Sequence, residues 1–229
     1  MKPEILFEDD QILVCHKPAG TAVQTASFSS PDMVSLLKNH LMREAKKSGT
    51  PLKGAPYLAV IHRLDQPVEG ILVFGKTKQA AARLSSQLGK AGFGKYYEAL
   101  TESAPPDSSG TLTDYLVRDG RTNLSSVCTS DTPNAKKAVL DYRVLDQHTQ
   151  EGRLLSRLSI HLHTGRHHQI RVQLAHAGCP ILGDRKYNPQ GIPSRRLHLC
   201  ACRLDFLHPV SKEPLHFEIQ PFFLDSSSF

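Results

Sequence analysis

Residues 57–75 read YLAVIHRLDQPVEGILVFG and join two apolar runs through a polar segment. The runs 57–61 and 71–75 have the length and composition of buried strands. Catalytic side chains often lie on loops that rigid strands hold in place. The stretch therefore predicts two strands of one sheet, and between them a charged loop that presents Asp65.

The segments on either side of this stretch predict more strands than helices. One helix is indicated before it, capped by Ser30 with Pro31 in its first position, and one after it, opened by Thr77. A third, short helix is predicted at 169–177, ended by Gly178. Strands are predicted at 5–7, 12–15, 95–100, 112–117, 138–145, 154–162, 197–204 and 215–219. This many neighbouring strands indicates an α+β fold with a largely antiparallel or mixed sheet.

The charge of the chain is concentrated in its C-terminal part. The net charge is +6 over 229 residues, from 28 basic and 22 acidic side chains. Between Arg153 and Lys212, ten Lys or Arg residues meet only two acids, Asp184 and Asp205. This basic part suits phosphate contacts to a nucleic acid, and a merely solvated basic surface is an equal alternative.

The cysteines and the apolar runs of the sequence predict where in the cell the protein is located. The five cysteines are odd in number, scattered, and not preceded by an apolar signal segment. This pattern predicts reduced thiols in a cytoplasmic protein. No apolar run approaches the roughly 18 residues that a spanning helix needs, so membrane insertion is not expected. A monomer is the expected state.

Short motifs along nearly the whole chain resemble those of one enzyme family. The segment 62–65 (HRLD), followed by 70–73 (GILV), is similar to the catalytic motif of the RluA-type pseudouridine synthases, which modify ribosomal or transfer RNA. Further matches in the family's order are 17–20 (KPAG), 95–99 (KYYEA), 163–171 (HTGRHHQIR), 178–187 (GCPILGDRKY) and 207–209 (LHP). The resemblance implies the pseudouridine-synthase fold, a bent, mixed and mostly antiparallel sheet flanked by helices with a central active-site cleft. It also implies a single catalytic domain over residues 1–229, without a separate N-terminal RNA-binding domain.

Pseudouridine formation requires a carboxylate where base and sugar meet. The reaction breaks the N1–C1′ bond of uridine and joins C5 to C1′ without a change of redox state, so no cofactor or metal is expected. Asp65 is the candidate, and three roles stay open for it: attack on C1′, addition to C6, or removal of a sugar proton. A closed pocket disfavours an ionised carboxylate, and the resemblance assigns the compensating cation to Arg171. The resemblance also implies that Tyr97 is the active-site tyrosine that packs against the base.

Asp65 and Tyr97 each have a plain structural interpretation as well. A loop carboxylate such as Asp65 commonly caps a turn, and a strand tyrosine such as Tyr97 commonly belongs to the core or the sheet surface. Strand alternation places Tyr96 and Tyr97 on opposite faces of the sheet. Spacing alone does not choose between the two tyrosines.

RNA is the expected partner, and DNA is not. The target uridine must be flipped out of stacked RNA before it can react. The resemblance implies that Arg63 fills the vacated stack, and a phosphate contact is the alternative for this side chain. Further RNA contacts are predicted for His62, Lys17, Arg166, His168 and Gln169.

Two positions depart from the family pattern. Val68-Glu69 stand where Thr-Ser is common before the glycine, and Cys200 stands where a histidine is common. An acidic residue close to an RNA-binding cleft puts the identity of the substrate in question, more than the type of reaction.

Two other functions compete with RNA isomerisation. A metal site is suggested by a group of potential ligands: His161, His163, His167, His168, Cys200 and Cys202. Their spacing fits no standard zinc finger or ribbon. A non-catalytic RNA-binding protein on a synthase-like fold would need only the basic surface and the cleft. The presence of both Asp65 and Tyr97 favours the enzyme.

Overall fold

The computed structural model describes residues 3–25, 31–88, 90, 93–150 and 152–224. Its elements follow one another as β1 (Glu4–Glu8), β2 (Ile12–Lys17), α1 (Met33–Lys47), β3 (Ala59–Val60), β4 (Glu69–Gly75), α2 (Lys78–Gln87), β5 (Gly94–Glu102), β6 (Ser109–Asp119), β7 (Leu124–Cys128), β8 (Lys136–Gln150), β9 (Arg153–Leu162), α3 (Gln169–His176), β10 (Leu199–Leu207), β11 (Pro214–Glu218) and a 3₁₀ helix (Phe222–Leu224). The predicted α+β class is confirmed, and every strand pairing whose register is described is antiparallel. The predicted bend and central cleft of the sheet stay predictions.

The chain divides into two compact units. The first comprises Met1–Phe93 and Arg203–Ile219, and the second comprises Gly94–Cys202 and Gln220–Phe229. The predicted single catalytic domain stays a prediction. No helix in the described part of the chain is long and apolar enough to cross a membrane.

The first unit is a sheet with the strand order β1-β2-β4-β10, to which β3 adds beside β4 and β11 beside β10. Ile12 and Val14 of β2 pack with Ile71 and Val73 of β4 in a core that Leu84 of α2 covers. All seven residues of β4 are buried; the apolar run 71–75 predicts this for five of them, and Glu69 and Gly70 are buried in addition. Strands β2 and β4 pair antiparallel to their ends, which places the segment after β2 beside the loop that precedes β4.

Helix α1 begins later than the sequence predicts. Its N-cap is Asp32, whose side chain accepts a bond of 2.7 Å from the backbone N–H of Ser35. The other carboxylate oxygen of Asp32 accepts from the N–H of Thr25, also at 2.7 Å. A carboxylate that satisfies two backbone donors is a strong helix start. The predicted cap at Ser30 is therefore wrong, and Ser30 itself lies outside the described residues.

The second unit is built on the strand order β5-β9-β8-β6-β7. Helix α3 packs on these strands through Val172, which contacts Leu116 and Ala138. Strand β7 was not among the predicted strands, because its sequence LSSVC lacks both a continuous apolar run and many β-branched residues. Strand β7 forms because it pairs with β6, although its own residues have only a weak preference for strand structure.

Candidate active site

Asp65 lies in the first unit, on the loop between β3 and β4. The backbone N–H of Val68 donates to the carbonyl of Asp65 at 3.0 Å and closes a tight turn there. Leu64 and Val68, on either side of the carboxylate, are both buried. Asp65 itself is half-buried. The loop is therefore anchored by apolar side chains, and the residue between them keeps part of its surface accessible to solvent.

The side chain of Lys17, at the end of β2, fastens this loop. Its side chain is fully buried, and the ammonium donates to the carbonyls of Pro18 at 3.2 Å, Thr21 at 2.8 Å and Gln66 at 3.1 Å. The N–H of Gly20 also donates to the Gln66 carbonyl at 2.8 Å, and the Gln66 side chain returns a bond to the Gly20 carbonyl at 3.0 Å. These bonds fasten the turn 17–20 to the residue that follows Asp65.

The burial of Lys17 does not favour its RNA contact, which stays a prediction. All three donors of the ammonium meet backbone carbonyls, and no part of the side chain reaches solvent. A buried ammonium that is satisfied internally has no donor left for a phosphate. Lys17 is the cation of the Asp65 loop.

The charges around Lys17 are unusual. Burial lowers the pKa of Lys17 to about 8, and the carboxylates of Asp65 and Glu69 act in the opposite direction. Glu69 is buried, although charged side chains are rarely buried without a partner. The buried ammonium of Lys17 thus interacts with both Asp65 and Glu69. Glu69, which departs from the family pattern, is therefore one of the two carboxylates that favour the charged form of Lys17.

Tyr97 lies in the second unit, on β5. It is buried and pairs across the sheet with Ile160 of β9. Tyr96 faces the other side, where its ring stacks on His161 with centroids 4.5 Å apart. The alternation expected for the two tyrosines is therefore present, and Tyr97 is the one on the buried face.

Arg171 lies in the first turn of α3, in the second unit, and is buried. Its guanidinium makes a forked ion pair with Asp184: Nε donates to Oδ2 at 2.8 Å and Nη2 to Oδ1 at 2.7 Å. The guanidinium carbon also lies 5.2 Å from the centroid of the Tyr187 ring. Oδ1 of Asp184 further accepts from the N–H groups of Lys186 at 3.0 Å and Tyr187 at 3.2 Å.

Asp184 is a positioning residue that sequence reasoning missed. It fixes the plane of the Arg171 guanidinium through two parallel bonds, which a single point contact could not do. The signal was present in the segment 178–187, which matches a family motif and contains this acid in the basic C-terminal part of the chain. A buried acid in a basic region commonly has an ion-pair partner.

The turn that leads into α3 contains His168 and Gln169, for both of which an RNA contact is predicted. His168 has a left-handed backbone conformation with φ 54°, and its Nδ1 lies 2.7 Å from the Tyr187 hydroxyl. The side-chain oxygen of Gln169 accepts from the Arg166 N–H at 3.0 Å and from the Thr164 hydroxyl at 2.8 Å. Both His168 and Gln169 are buried. These side chains thus help to build the turn, and their RNA contacts stay predictions.

The remaining predicted RNA contacts are more accessible. Arg63 and Arg166 are exposed, and His62 is half-buried. Nε2 of His62 accepts from the backbone N–H of Val73 at 3.4 Å. Nε of Arg166 donates to the Lys137 carbonyl at 2.8 Å. RNA binding by Arg63, His62 and Arg166 stays a prediction.

The potential metal ligands named from the sequence do not form one group. The rings of His167 and His168 stack with centroids 3.7 Å apart, and Sγ of Cys202 lies 3.7 Å from the Tyr96 carbonyl. Among the described residues, the three that place ligand atoms together are Asp141, His161 and His163. Only two of the six predicted ligands belong to that cluster.

Comparison with known proteins identifies the family of the chain. The model of the RNA pseudouridylate synthase family matches residues 11–176. The ribosomal large subunit pseudouridine synthase D of Xanthomonas campestris pv. campestris is 34% identical over 92% of this chain and 63% of the relative. The protein of the same name from Xylella fastidiosa is 35% identical over 93% of this chain and 64% of the relative. The chain thus spans less than two thirds of the length of these relatives.

A solved structure agrees with this at the level of the fold. Human RNA pseudouridylate synthase domain containing 1 superposes with a TM-score of 0.77 at 22% identity, over 97% of this chain and 85% of that chain. Identity at this level speaks for a common fold and not for a common substrate.

Proposed function

Because the chain belongs to the RNA pseudouridylate synthase family, we propose that it isomerises uridine in RNA to pseudouridine, with Asp65 as the catalytic carboxylate. The observation that carries the proposal is the environment of Asp65. A half-buried carboxylate stands on a loop anchored by Leu64 and Val68 and fastened by the buried ammonium of Lys17. A carboxylate on a loop that is held in place in this way is positioned to act as a nucleophile or a base.

The proposed reaction is balanced without any co-reactant. The N1–C1′ bond breaks, the uracil turns, and C5 bonds to C1′. The proton of C5 is lost and N1 gains one, so that no electrons enter or leave. Asp65 takes part as nucleophile at C1′, as nucleophile at C6, or as base toward a sugar proton, and each of these roles needs the carboxylate.

Tyr97 and Arg171 are proposed as further catalytic residues. Tyr97 would pack its ring against the target base, and Arg171 would supply a fixed positive charge. The forked ion pair with Asp184 supports the second role, because it holds the guanidinium in one orientation before substrate arrives. Arg63 is proposed to fill the gap that the flipped uridine leaves, since it is exposed and planar.

Ribosomal RNA of the large subunit is the substrate proposed first, and transfer RNA second. The names of the relatives from Xanthomonas campestris and Xylella fastidiosa support this order. The proposed location is the cytoplasm, and the proposed state is a monomer. DNA and membranes are not proposed as partners.

The test is tritium release from RNA that carries 5-tritiated uridine, prepared from cells that lack the gene. We expect release by the wild-type protein and a fall of at least about 10²-fold in Asp65→Asn, because the isosteric amide cannot act as nucleophile or base. The matched control is Asp131→Asn, which changes an exposed loop carboxylate in the same way and should leave release unchanged.

Binding of the same RNA, measured in parallel, distinguishes an isomerase from a non-catalytic RNA-binding protein. Asp65→Asn should bind as wild type does, since the phosphate contacts remain. Equal release by wild type and Asp65→Asn would contradict the assigned carboxylate. Binding without release, from both ribosomal and transfer RNA, would favour a non-catalytic RNA-binding protein.

A further inference from the structure

We propose that Asp141, His161 and His163 form a binding site for a divalent transition-metal ion, of which Zn²⁺ is the best fit. All three residues belong to the second unit. Their ligand atoms lie within 4.8 Å of one another. This site is independent of the proposed isomerase reaction, which needs no metal.

The strand register brings the three side chains together. Asp141 of β8 pairs directly with His161 of β9, and His163 follows His161 by two residues, which returns it to the same face. Nε2 of His163 lies 2.6 Å from Oδ2 of Asp141. The rings of His161 and His163 meet edge to face with centroids 4.6 Å apart. The cluster is therefore a product of two adjacent strands and not of mobile loops.

Neighbouring side chains orient two of the ligands. The ring of His161 stacks on Tyr96 with an interplanar angle of 14°. The hydroxyl of Thr111 donates to Oδ1 of Asp141 at 2.7 Å, which leaves Oδ2 directed to the histidines. Outer partners of this kind fix ligand geometry in metal sites and strengthen binding.

The donor set selects the class of ion. Two imidazole nitrogens and one carboxylate oxygen suit Zn²⁺ and its neighbours in the first transition row, whereas Ca²⁺ and Mg²⁺ prefer oxygen ligands alone. Tetrahedral zinc with bonds near 2.1 Å separates its ligand atoms by about 3.4 Å. The Asp141–His163 pair, at 2.6 Å, must therefore open by less than about 1 Å. The His161 nitrogen, which lies within 4.8 Å of the other two ligand atoms, must approach them by at most about 1.4 Å. The side chains of His163 and Asp141 are 42% and 45% exposed, so water can complete the coordination.

The location of the site predicts what the ion does. Tyr96, His161 and Asp141 share one face of the strands, while Tyr97 lies on the opposite face. His163 directly precedes the turn 164–166 that leads into α3. A bound ion would therefore tie β8 to the start of this turn and raise the melting temperature, without touching the face that carries Tyr97.

The experiment measures metal binding to the purified full chain after chelator treatment, with its cysteines kept reduced. Co²⁺ is titrated as a spectroscopic probe and Zn²⁺ by calorimetry. We expect one equivalent of each to bind, with visible cobalt d–d bands and without a thiolate charge-transfer band. His163→Ala should weaken binding by more than about 10-fold, and Thr111→Val, which removes an outer partner, by about 10-fold.

The matched control is His176→Ala. His176, whose side chain is 59% exposed, forms a pair with Asp114 at 3.3 Å, but among the described residues this pair lies in no group of three potential ligands. Its loss should leave metal binding unchanged. The proposal is overturned if wild type binds neither ion, if His163→Ala binds as wild type does, or if His176→Ala weakens binding equally. Circular dichroism without metal confirms that each variant is folded.

Discussion

Lys17 in the first unit and Arg171 in the second are both buried cations, and they are satisfied in opposite ways. The Lys17 ammonium donates to three neutral backbone carbonyls. The Arg171 guanidinium donates two parallel bonds to the carboxylate of Asp184. The charge of Lys17 is thus stabilised by backbone dipoles, and the charge of Arg171 by a carboxylate of opposite charge.

The difference follows from the shapes of the two groups. An ammonium is a compact charge with three rotatable donors, which suits carbonyls that converge from a turn and a loop. A guanidinium is planar and stays protonated, and its fork matches a carboxylate. The Lys17 site can therefore change its charge within an accessible pH range, whereas the guanidinium of Arg171 stays protonated.

Removal of the carboxylate from the Arg171–Asp184 pair should have the largest effect on stability. We expect Asp184→Asn to lower the free energy of unfolding by about 3–5 kcal/mol, because it leaves a buried guanidinium without a counter-charge. Urea denaturation measures the change. The control is Asp146→Asn, which breaks the Arg157–Asp146 pair of 2.7 Å, where Asp146 is 52% exposed; this should cost less than about 1 kcal/mol.

A double variant separates the stability of this pair from its proposed role in catalysis. Arg171→Met combined with Asp184→Asn removes both charges and keeps a side-chain oxygen for the N–H groups of Lys186 and Tyr187; removal of both charges of a buried pair is often neutral. Stability should return while tritium release stays low, because the proposed catalytic cation is gone. A double variant as unstable as Asp184→Asn would instead mean that packing, and not the unpaired charge, caused the loss.

The pH dependence of stability should reveal the Lys17 site. Burial lowers the pKa of Lys17 to about 8 from an ordinary 10.5. Between these values the unfolded chain binds more protons than the folded chain, so the free energy of unfolding should rise with pH, and level off above 10.5. Relative to Lys17→Met, the rise should reach about 3 kcal/mol. Denaturation curves of both proteins across this range supply the measurement.

The comparison with Lys17→Met is needed because other buried groups titrate nearby. Burial raises the pKa of Cys15 to about 12 and of Cys179 to about 11. These thiols lose protons first in the unfolded chain, so they make stability fall as pH rises. Cys179 is present in both proteins and cancels in the difference. Cys15 cancels only in part, because the Lys17 charge lowers the pKa of its thiol and Lys17→Met removes that charge. Parallel curves for wild type and Lys17→Met would show that Lys17 keeps its ordinary pKa.

Removal of the exposed cation Arg166 should change the free energy of unfolding less than the changes at the two buried cations. Arg166→Ala should change the free energy of unfolding by no more than about 0.5 kcal/mol. It should weaken RNA binding and reduce the slope of log affinity against log salt by about 1, as expected for the loss of one phosphate contact. Filter binding at several salt concentrations measures this slope.

Arg43→Ala is the matched control for Arg166→Ala. Arg43 is also exposed, and its Nε likewise donates to a backbone carbonyl, that of Asn39, at 3.2 Å. It lies on α1, away from the basic C-terminal part of the sequence, and its loss should leave the salt slope unchanged. An equal change in both variants would indicate a general charge effect and no contact at Arg166.

Local sequence pattern was sufficient for much of the fold. The apolar run 71–75 predicted the core of β4, and Thr77 was identified as the cap of α2. Both signals act within a few residues. The pattern was insufficient where partners distant in sequence decide, as in β7, which forms because β6 offers it an edge.

The sequence by itself determined the family, the α+β class, the position of Asp65 on a loop between strands, and the separation of Tyr96 from Tyr97 by strand alternation. Only the tertiary structure decided which polar side chains turn inward. Lys17 bonds to a carbonyl 49 residues away, and Arg171 to a carboxylate 13 residues away. A polar residue has the same local pattern whether it faces solvent or is buried, because the groups that satisfy it when buried come from other segments of the chain.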